Sequence, residues 1–183
     1  EIEGKKLSFA ELEVLANNAP PFKSFIDPDN DLFMHPGDMP DRIRQYCRNT
    51  NQPIPEGEGE VVRCIMQSLA LKYRMTVESL EEITGKRFGK IHMVGGGIRD
   101  KMLCRFTADA TGRTVLAGPV EATSVGNLMV QAMGLGEVKS LKEIRQVVKD
   151  SFPVESYEPE DTSMWKEAYE KFREIIKNYK EKK

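Results

Sequence analysis

Two short apolar segments, each running into glycine and then into a helical pattern, constrain the fold of this chain more than any other feature. The first is KIHMVGGG at residues 90–97, and the second is RTVLAGP at residues 113–119. Helical periodicity follows each of them, over residues 99–112 and 121–134. A strand–helix–strand–helix succession of this length is typical of a βαβ unit, with parallel strands and a right-handed crossover.

Two parallel strands are too few for a stable sheet, because a parallel sheet needs cover on both faces. We therefore predict an α/β chain that is mostly helical with two parallel strands. Unless the chain is unusually helical, we expect the sheet to be completed by sequence that precedes Glu1. The chain opens on a polar stretch without an initiator methionine, which agrees with this expectation.

Helix-capping patterns mark several further helices. Ser8 is predicted to cap a first helix, with Glu11 in the register of a capping box, and Ser140 and Glu143 repeat this pattern later in the chain. A long helical periodicity ends at Gly85, a residue type that commonly terminates helices. Most of the chain is therefore expected to be helical.

The segment 161–183 is predicted to form an amphipathic helix. Such a helix either docks on the core of its own chain or binds a partner. Its apolar side chains at helical spacing are Trp165, Tyr169, Phe172, Ile175, Ile176 and Tyr179.

Composition excludes several classes of function. The 183 residues carry a net charge of −2, so nothing favours nucleic acid or an anionic membrane as a partner. The apolar runs are too short to span a bilayer, and no signal peptide is recognisable. We expect a cytoplasmic protein with no nucleic-acid or membrane partner.

The cysteines do not indicate a metal site. Cys47, Cys64 and Cys104 are odd in number and widely spaced, whereas structural zinc needs about four ligands at short paired spacings. We predict that they are buried free thiols in a reducing compartment.

An aspartate-rich loop resembles the start of a calcium-binding loop but fails its pattern. Asp27, Asp29 and Asp31 alternate as EF-hand ligands do. Pro28 and Leu32 break that pattern, and no glycine stands at the sixth position. We therefore predict no metal site in this chain.

The triple glycine Gly95, Gly96 and Gly97 is the strongest candidate for chemistry. Glycine allows positive φ and close approach of a ligand to the backbone. The helix that follows offers unpaired N–H groups, which suit a phosphate or a polar edge of a nucleotide. A tight strand-to-helix turn without a ligand is the alternative.

The P-loop pattern fails because no Gly-Lys-Ser or Gly-Lys-Thr follows. A dinucleotide oxidoreductase fingerprint fails because its third glycine falls at Asp100.

A second candidate element is the sequence AGPVEATSVGN. Pro119 and Glu121 are predicted to lie at a helix start, where a fixed φ and a negative charge are favourable. Gly126 would cost stability inside the helix unless another backbone or a ligand approaches it closely. Simple packing of the helix on the sheet is the alternative.

Several blocks of this sequence together resemble the carboxy-terminal lobe of the FGGY carbohydrate kinases. They are IHMVGGG, FTADATGRTVLAGPVEATSVGN, SLKEIRQVV and SFPVESYEP, with QSLALKYRMTVESLEEITG and PGDMPDRIRQYCRNTNQPIPE upstream. The resemblance runs from about Leu7 to Pro159, and the VGGG and GPVEAT blocks at their separation are its specific part. Within the family, the similarity is to members that phosphorylate L-rhamnulose.

This resemblance implies a fold and an activity. The family has two actin-like ATPase lobes of the ribonuclease H type, and sugar and ATP meet in the cleft between them. A γ-phosphoryl group passes from magnesium–ATP to a ketose hydroxyl. The middle glycine of the turn lies against the nucleotide, which implies Gly96. The third residue after the glycines is commonly an amide that contacts adenosine, and here it is Asp100.

The chain departs from the family at this position. Members that act on L-rhamnulose have Gln-Asn where this chain has Arg99 and Asp100. An ionised aspartate only accepts hydrogen bonds, whereas asparagine also donates them, so Arg99 becomes a candidate contact to a phosphate. Cys104 stands where a polar amide is usual. The cofactor-binding set that the resemblance implies is Gly95, Gly96, Gly97, Arg99 and Asp100.

Other parts of the family's site have no counterpart in this sequence. The catalytic aspartate, the sugar contacts and a Ser-Gly-Thr phosphate loop precede the segment found here. Phosphoryl transfer depends mainly on positioning and charge stabilisation across a closed cleft. We therefore assign no catalytic residue and no metal ligand to this chain, and expect it to be inactive alone.

The expected organisation has three segments. Residues 1–56 form a helical and loop segment, residues 57–160 a nucleotide-binding βαβα core, and residues 161–183 the terminal helix. We expect ATP and Mg²⁺ as cofactors, L-rhamnulose bound through the missing lobe, and possible self-association of this fragment. Two other functions stay open: a kinase of this family for another sugar, and a non-catalytic nucleotide-binding or interaction module.

Overall fold

A computed structural model describes residues 7–181. Neither its longest helix nor any other helix in this range is long and apolar enough to cross a membrane. Single turns of 3-10 helix lie at Asp31–Phe33 and Gly96–Arg99. The helices and strands, in chain order, are α1 (Phe9–Asn18), α2 (Met39–Asn49), α3 (Glu58–Thr84), β1 (Lys90–Met93), α4 (Lys101–Thr111), β2 (Thr114–Ala117), α5 (Ala122–Gly134), α6 (Leu141–Ser151), β3 (Glu155–Tyr157) and α7 (Ser163–Glu181).

The predicted helix caps are largely present. At α1, the Ser8 N–H donates to the Glu11 carboxylate at 2.8 Å and the Glu11 N–H donates back to Ser8 Oγ at 3.3 Å. Gly85 ends α3 with φ +66°. At α6, Ser140 Oγ accepts from the Glu143 N–H, but the Glu143 carboxylate accepts from the N–H of Lys139 instead of that of Ser140. The capping box of α6 therefore has one of its two hydrogen bonds as predicted, and the other comes from the residue before Ser140.

The sheet contains the two predicted parallel strands and a third strand that was not predicted. β1 pairs in parallel with β2, with Ile91 opposite Val115. β3 pairs antiparallel with β2, with Ala117 opposite Glu155, so the sheet is mixed. Three residues are too few to show the alternation by which strands are recognised. The outer edge of β1 has no partner strand within residues 7–181.

α7 docks on the core, which confirms one of the two roles considered for the terminal segment. Phe172 is fully buried and meets Phe25 edge-on at 6.2 Å between ring centroids. Trp165 meets Phe22 edge-on at 5.0 Å. The main cluster joins side chains of α3, α4 and α7 with the loop after α1, and its buried members are Phe25, Ala70, Leu71, Ala110, Trp165, Ala168, Tyr169, Phe172 and Ile176.

Side chains supply the hydrogen bonds of the loop that follows α1. Gln52 accepts from the N–H of Phe25 and donates to its carbonyl, both at 2.8 Å. The Lys72 ammonium lies 2.8 Å from carboxylate oxygens of both Asp27 and Asp29. A lysine therefore neutralises the aspartate pattern that resembled a calcium loop.

Close backbone approach occurs at Gly59 and not at the predicted Gly126. A Cβ at Gly59 would lie 2.4 Å from the carbonyl oxygen of Leu15, so glycine lets α1 rest directly on α3. A Cβ at Gly126 would meet no described atom within 4 Å. Another backbone therefore does not approach Gly126 within residues 7–181, and the approach of a ligand to this glycine stays a prediction.

α5, α6 and the segment between them share a small core of their own. Its buried members are Met129, Val138 and Ile144, and Val125, Ala132 and Val148 pack against them. Large apolar side chains on the other faces of α5 are exposed, among them Leu128 and Val130.

Candidate functional site

The two glycine-containing turns predicted from sequence lie side by side at one edge of the sheet. β1 and β2 are parallel, so both end at this edge. The Gly118 N–H donates to the carbonyl of Met93 at 3.0 Å, and the Gly95 N–H donates to that of Pro119 at 3.2 Å. The structure therefore brings the VGGG and GPVEAT blocks into a single surface.

The three glycines of the first turn differ in what the fold demands of them. Gly95 has φ +84°, a conformation that favours glycine. Gly96 and Gly97 have no positive φ, and a Cβ at either would meet nothing within 4 Å. Their N–H groups have no backbone acceptor among the described residues. The fold thus requires glycine at 95, whereas Gly96 and Gly97 leave an open, donor-bearing surface.

Asp100 caps α4. Its Oδ1 accepts from the N–H of Leu103 at 2.9 Å. A carboxylate at this point already complements the positive end of the helix dipole, and it would repel an incoming phosphate. The polar edge of a nucleoside fits this position better than a phosphate does.

Arg99 and Glu121 face each other across the two turns. The Arg99 guanidinium lies 4.0 Å from the Glu121 carboxylate, and both side chains are mostly exposed, at 75% and 70%. Glu121 precedes α5 as its N-cap residue but makes no capping hydrogen bond with its side chain. The sequence could have indicated Glu121, because it is an acidic residue at a predicted helix start. It was not included among the candidate site residues. Pro119, in contrast, lies three residues before α5 and outside the helix.

Cys104 lies behind the first turn. Its buried thiol donates to the carbonyl of Ile98 at 3.8 Å. Burial, with smaller contributions from the charges of Asp100 and Glu155, raises the pKa of Cys104 to about 11. The thiol therefore stays protonated at neutral pH and supports the turn as a weak donor.

Gly118 is the glycine of the second turn that the fold requires. It has φ +145°, and a Cβ there would lie 2.7 Å from the carbonyl oxygen of Pro153. The link between α6 and β3 thus rests directly on this turn. Sequence reasoning missed this contact because it depends on β3.

No group of three or more His, Cys, Asp or Glu side chains within the described part of the chain is arranged to hold a metal ion. Near the turns, the Asp100 carboxylate is engaged at α4 and that of Glu121 faces Arg99. These residues do not form a magnesium site by themselves.

The family of this chain is shown by its match to a known sequence profile. The sequence profile of the FGGY family of carbohydrate kinases, C-terminal domain, matches residues 1–135. The chain belongs to the FGGY family of carbohydrate kinases. The resemblance noted from its sequence blocks is confirmed.

Curated relatives of this FGGY chain include two rhamnulokinases. That of Bacteroides thetaiotaomicron is 44% identical over 170 residues, which cover 93% of this chain and 35% of the relative. That of Bacillus subtilis is 43% identical over 154 residues, which cover 84% of this chain and 32% of the relative. The chain thus spans about a third of the length of the curated relatives it matches.

Solved structures of sugar and glycerol kinases share the fold. Xylulose kinase from Rhodospirillum rubrum superposes with a TM-score of 0.65 at 19% identity, covering 96% of this FGGY chain and 35% of that structure. Glycerol kinase from Plasmodium falciparum, solved with ADP, superposes with a TM-score of 0.65 at 14% identity, covering 93% and 34%. The predicted α/β fold of an actin-like lobe is confirmed, with the correction that the sheet formed by residues 7–181 has three strands.

Proposed function

We propose that this chain is the nucleotide-binding part of an ATP-dependent sugar kinase. The single observation that carries the proposal is the open surface over Gly96 and Gly97. No described side chain or backbone explains glycine at these two positions. A flat ligand lying against the turn would explain it, because any side chain would occupy the same space.

Each candidate residue has a distinct proposed role. Gly95 provides the positive-φ conformation that opens the turn, and Gly96 and Gly97 contact the adenine or ribose of ATP. Asp100 keeps Oδ2 available as an acceptor for an amino or hydroxyl group, since Oδ1 caps α4. Arg99 reaches a phosphate when it leaves Glu121.

The sugar is proposed from the relatives. Two curated relatives with more than 40% identity are rhamnulokinases, so we propose L-rhamnulose as the acceptor in the whole enzyme. A kinase of this family for another sugar is the second candidate, and a non-catalytic nucleotide-binding module is the third. We propose that the catalytic base, the sugar contacts and the ligands of Mg²⁺ lie outside the described residues. Bound Mg²⁺ would neutralise charge on the transferred phosphoryl group.

We also propose that the protein is cytoplasmic and that the chain divides into segments 1–56, 57–160 and 161–183. Self-association of the isolated chain is proposed because the outer edge of β1 offers unpaired backbone groups.

Nucleotide binding tests the proposal. The chain matches only about a third of the length of its relatives. We would therefore join it to the N-terminal two-thirds of the Bacteroides rhamnulokinase and measure ADP binding by calorimetry. Gly96→Val should weaken binding at least tenfold while leaving the unfolding midpoint nearly unchanged, since the new side chain meets only the ligand. Gly89→Val is the matched control, because Gly89 also has open space around its Cβ position but lies at the opposite end of β1. Equal ADP affinity in the two variants would refute the assignment of the turn.

A further inference from the structure

Two kinds of polar group meet at the open surface of the glycine turn. The N–H groups of Gly96 and Gly97 have no backbone acceptor among the described residues, and a Cβ at either would meet nothing within 4 Å. The N–H of Asp100 donates to the carbonyl of Gly97 at 3.2 Å, which places Asp100 one tight turn after these donors. The surface therefore offers hydrogen-bond donors and a carboxylate next to each other.

The fold uses only part of the Asp100 carboxylate. Its Oδ1 accepts from the N–H of Leu103 at 2.9 Å, and the side chain is half-buried. This bond leaves Oδ2 and the second lone pair of Oδ1 as acceptors for a ligand. A carboxylate accepts hydrogen bonds and donates none, so it selects for ligand groups that carry N–H or O–H.

We propose that this site takes guanine nucleotides as well as adenine nucleotides, with an affinity for GDP that equals or exceeds its affinity for ADP. The inference rests on the proposed function, because it names the bases that the nucleotide site recognises. Guanine presents the acceptor O6 beside two adjacent donors, N1–H and the 2-amino group. O6 accepts from an open N–H of the turn, at Gly96 or Gly97, and the two donors reach Asp100.

Adenine is less well matched to a carboxylate. Its amino group is its only exocyclic donor, and the ring nitrogens on both sides of it are acceptors. When the amino group donates to Asp100, a neighbouring lone pair is brought towards the same carboxylate, and this repulsion opposes binding. The flat contact with Gly96 and Gly97 is the same for both purines, so adenine nucleotides still bind.

Asp100→Asn reverses this preference without removing the helix cap. The side-chain carbonyl oxygen of asparagine keeps the bond to Leu103, so its NH₂ group takes the place of Oδ2. This group is a donor, which opposes the donors of guanine and suits the ring nitrogen of adenine. We expect the ratio of GDP affinity to ADP affinity to fall about tenfold, the effect of one hydrogen bond to a charged group.

Two titrations measure the ratio. The unmodified chain is titrated with ADP and with GDP while the amide shifts of Gly96 and Gly97 are followed by NMR, which detects weak binding. The chimera with the Bacteroides rhamnulokinase is titrated by calorimetry with the same nucleotides. Asp38→Asn is the matched control, because Asp38 caps α2 through the N–H of Asp41 at 3.0 Å and lies outside the glycine turn. It should leave the ratio unchanged.

The outcomes separate this inference from the proposed function. GDP affinity equal to or above that of ADP, lowered relative to ADP in Asp100→Asn, supports the inference. ADP binding with GDP more than tenfold weaker would overturn it and leave the nucleotide site in place. An unchanged ratio in Asp100→Asn would also overturn it, since a carboxylate that meets only a ribose hydroxyl does not distinguish the bases. Failure of both nucleotides to bind the chimera would refute the proposed function itself.

Discussion

Asp100 shows how one residue serves the fold at a position assigned to a ligand. Its Oδ1 caps α4 through the N–H of Leu103. Asparagine, the residue expected here from the family resemblance, can make the same bond with its carbonyl oxygen and still present an amide to a ligand. Aspartate at this position therefore keeps the cap and presents a carboxylate where asparagine would present an amide.

We predict that Asp100→Asn and Asp100→Ala separate these two roles. Asp100→Ala should lower the free energy of unfolding by about 0.5–2 kcal/mol through loss of the cap, whereas Asp100→Asn should change it by a few tenths. Urea denaturation of this chain measures both. In the chimera, ADP affinity of Asp100→Asn should equal or exceed that of the unchanged protein. A large loss of affinity in that variant would mean that the charge itself binds the ligand.

At the scale of elements, Glu81 connects α3 to the sheet. Its carboxylate accepts from the Phe88 N–H at 2.8 Å and from Arg113, the residue just before β2, at 2.8 and 2.9 Å. The hydrogen bond from the Phe88 N–H and, to a smaller extent, the hydrogen bonds and charge of Arg113 lower the pKa of Glu81. This bond network positions β1 and β2 relative to α3, and with them the glycine turn.

The lowered pKa of Glu81 predicts a pH-dependent contribution to stability. The folded state holds the carboxylate ionised more strongly than the unfolded state, so the contribution is full above the ordinary pKa near 4.5 and is lost as pH falls through the folded value. The stability difference between the unchanged protein and Glu81→Gln, measured by urea denaturation, should therefore shrink below about pH 4.5. Glu82→Gln, an exposed neighbour, should show a much smaller difference at neutral pH.

The contact between α1 and α3 gives a second prediction at this scale. Gly59→Ala places a methyl group 2.4 Å from the Leu15 carbonyl, so one helix must shift. We expect a loss of about 1–3 kcal/mol in the free energy of unfolding, as for an overpacked core. Gly89→Ala, just before β1 and outside any helix, adds the same methyl group where nothing lies within 4 Å and should be close to neutral. Equal stability of the two variants would contradict the close packing of α1 on α3.

Local signals in the sequence predicted the helices, both parallel strands and the glycine turn. Periodicity and capping residues act within a few positions, so a single sequence records them. Contacts between distant segments leave no such record. Gly59 and Gly118 owe their role to Leu15 and Pro153, far away in the chain, and β3 is defined by its pairing with β2. The capping role of Asp100 was readable, because aspartate before a helix is a standard cap.

At the scale of the whole molecule, the described chain contains one side of a proposed nucleotide site and no assigned catalytic residue. Because the chain matches only about a third of the length of the rhamnulokinases, we expect the acceptor site to lie outside the described residues. A transferred phosphoryl group needs donor and acceptor held in line, and a misplacement of about 1 Å can reduce the rate a hundredfold.

We therefore predict that this chain alone shows no sugar kinase activity. A coupled assay for ADP release with L-rhamnulose should give only background with the chain, and turnover with the chimera described above. Xylulose, tested in parallel, distinguishes another sugar specificity. Robust turnover by the chain alone would mean that a catalytic carboxylate lies among its own residues.

The separate core shared by α5 and α6 has a consequence for the motions of the molecule. Met129, Val138 and Ile144 bury themselves against one another and not in the main cluster. A unit of this kind can open without unfolding the rest, because few buried contacts must be broken. Amide hydrogen exchange in α5 and α6 should therefore be fast, while the amides in the middle of α3 and α4 exchange only on global unfolding. The exchange pattern would divide the chain into two cooperative units, with the boundary just after the second glycine turn.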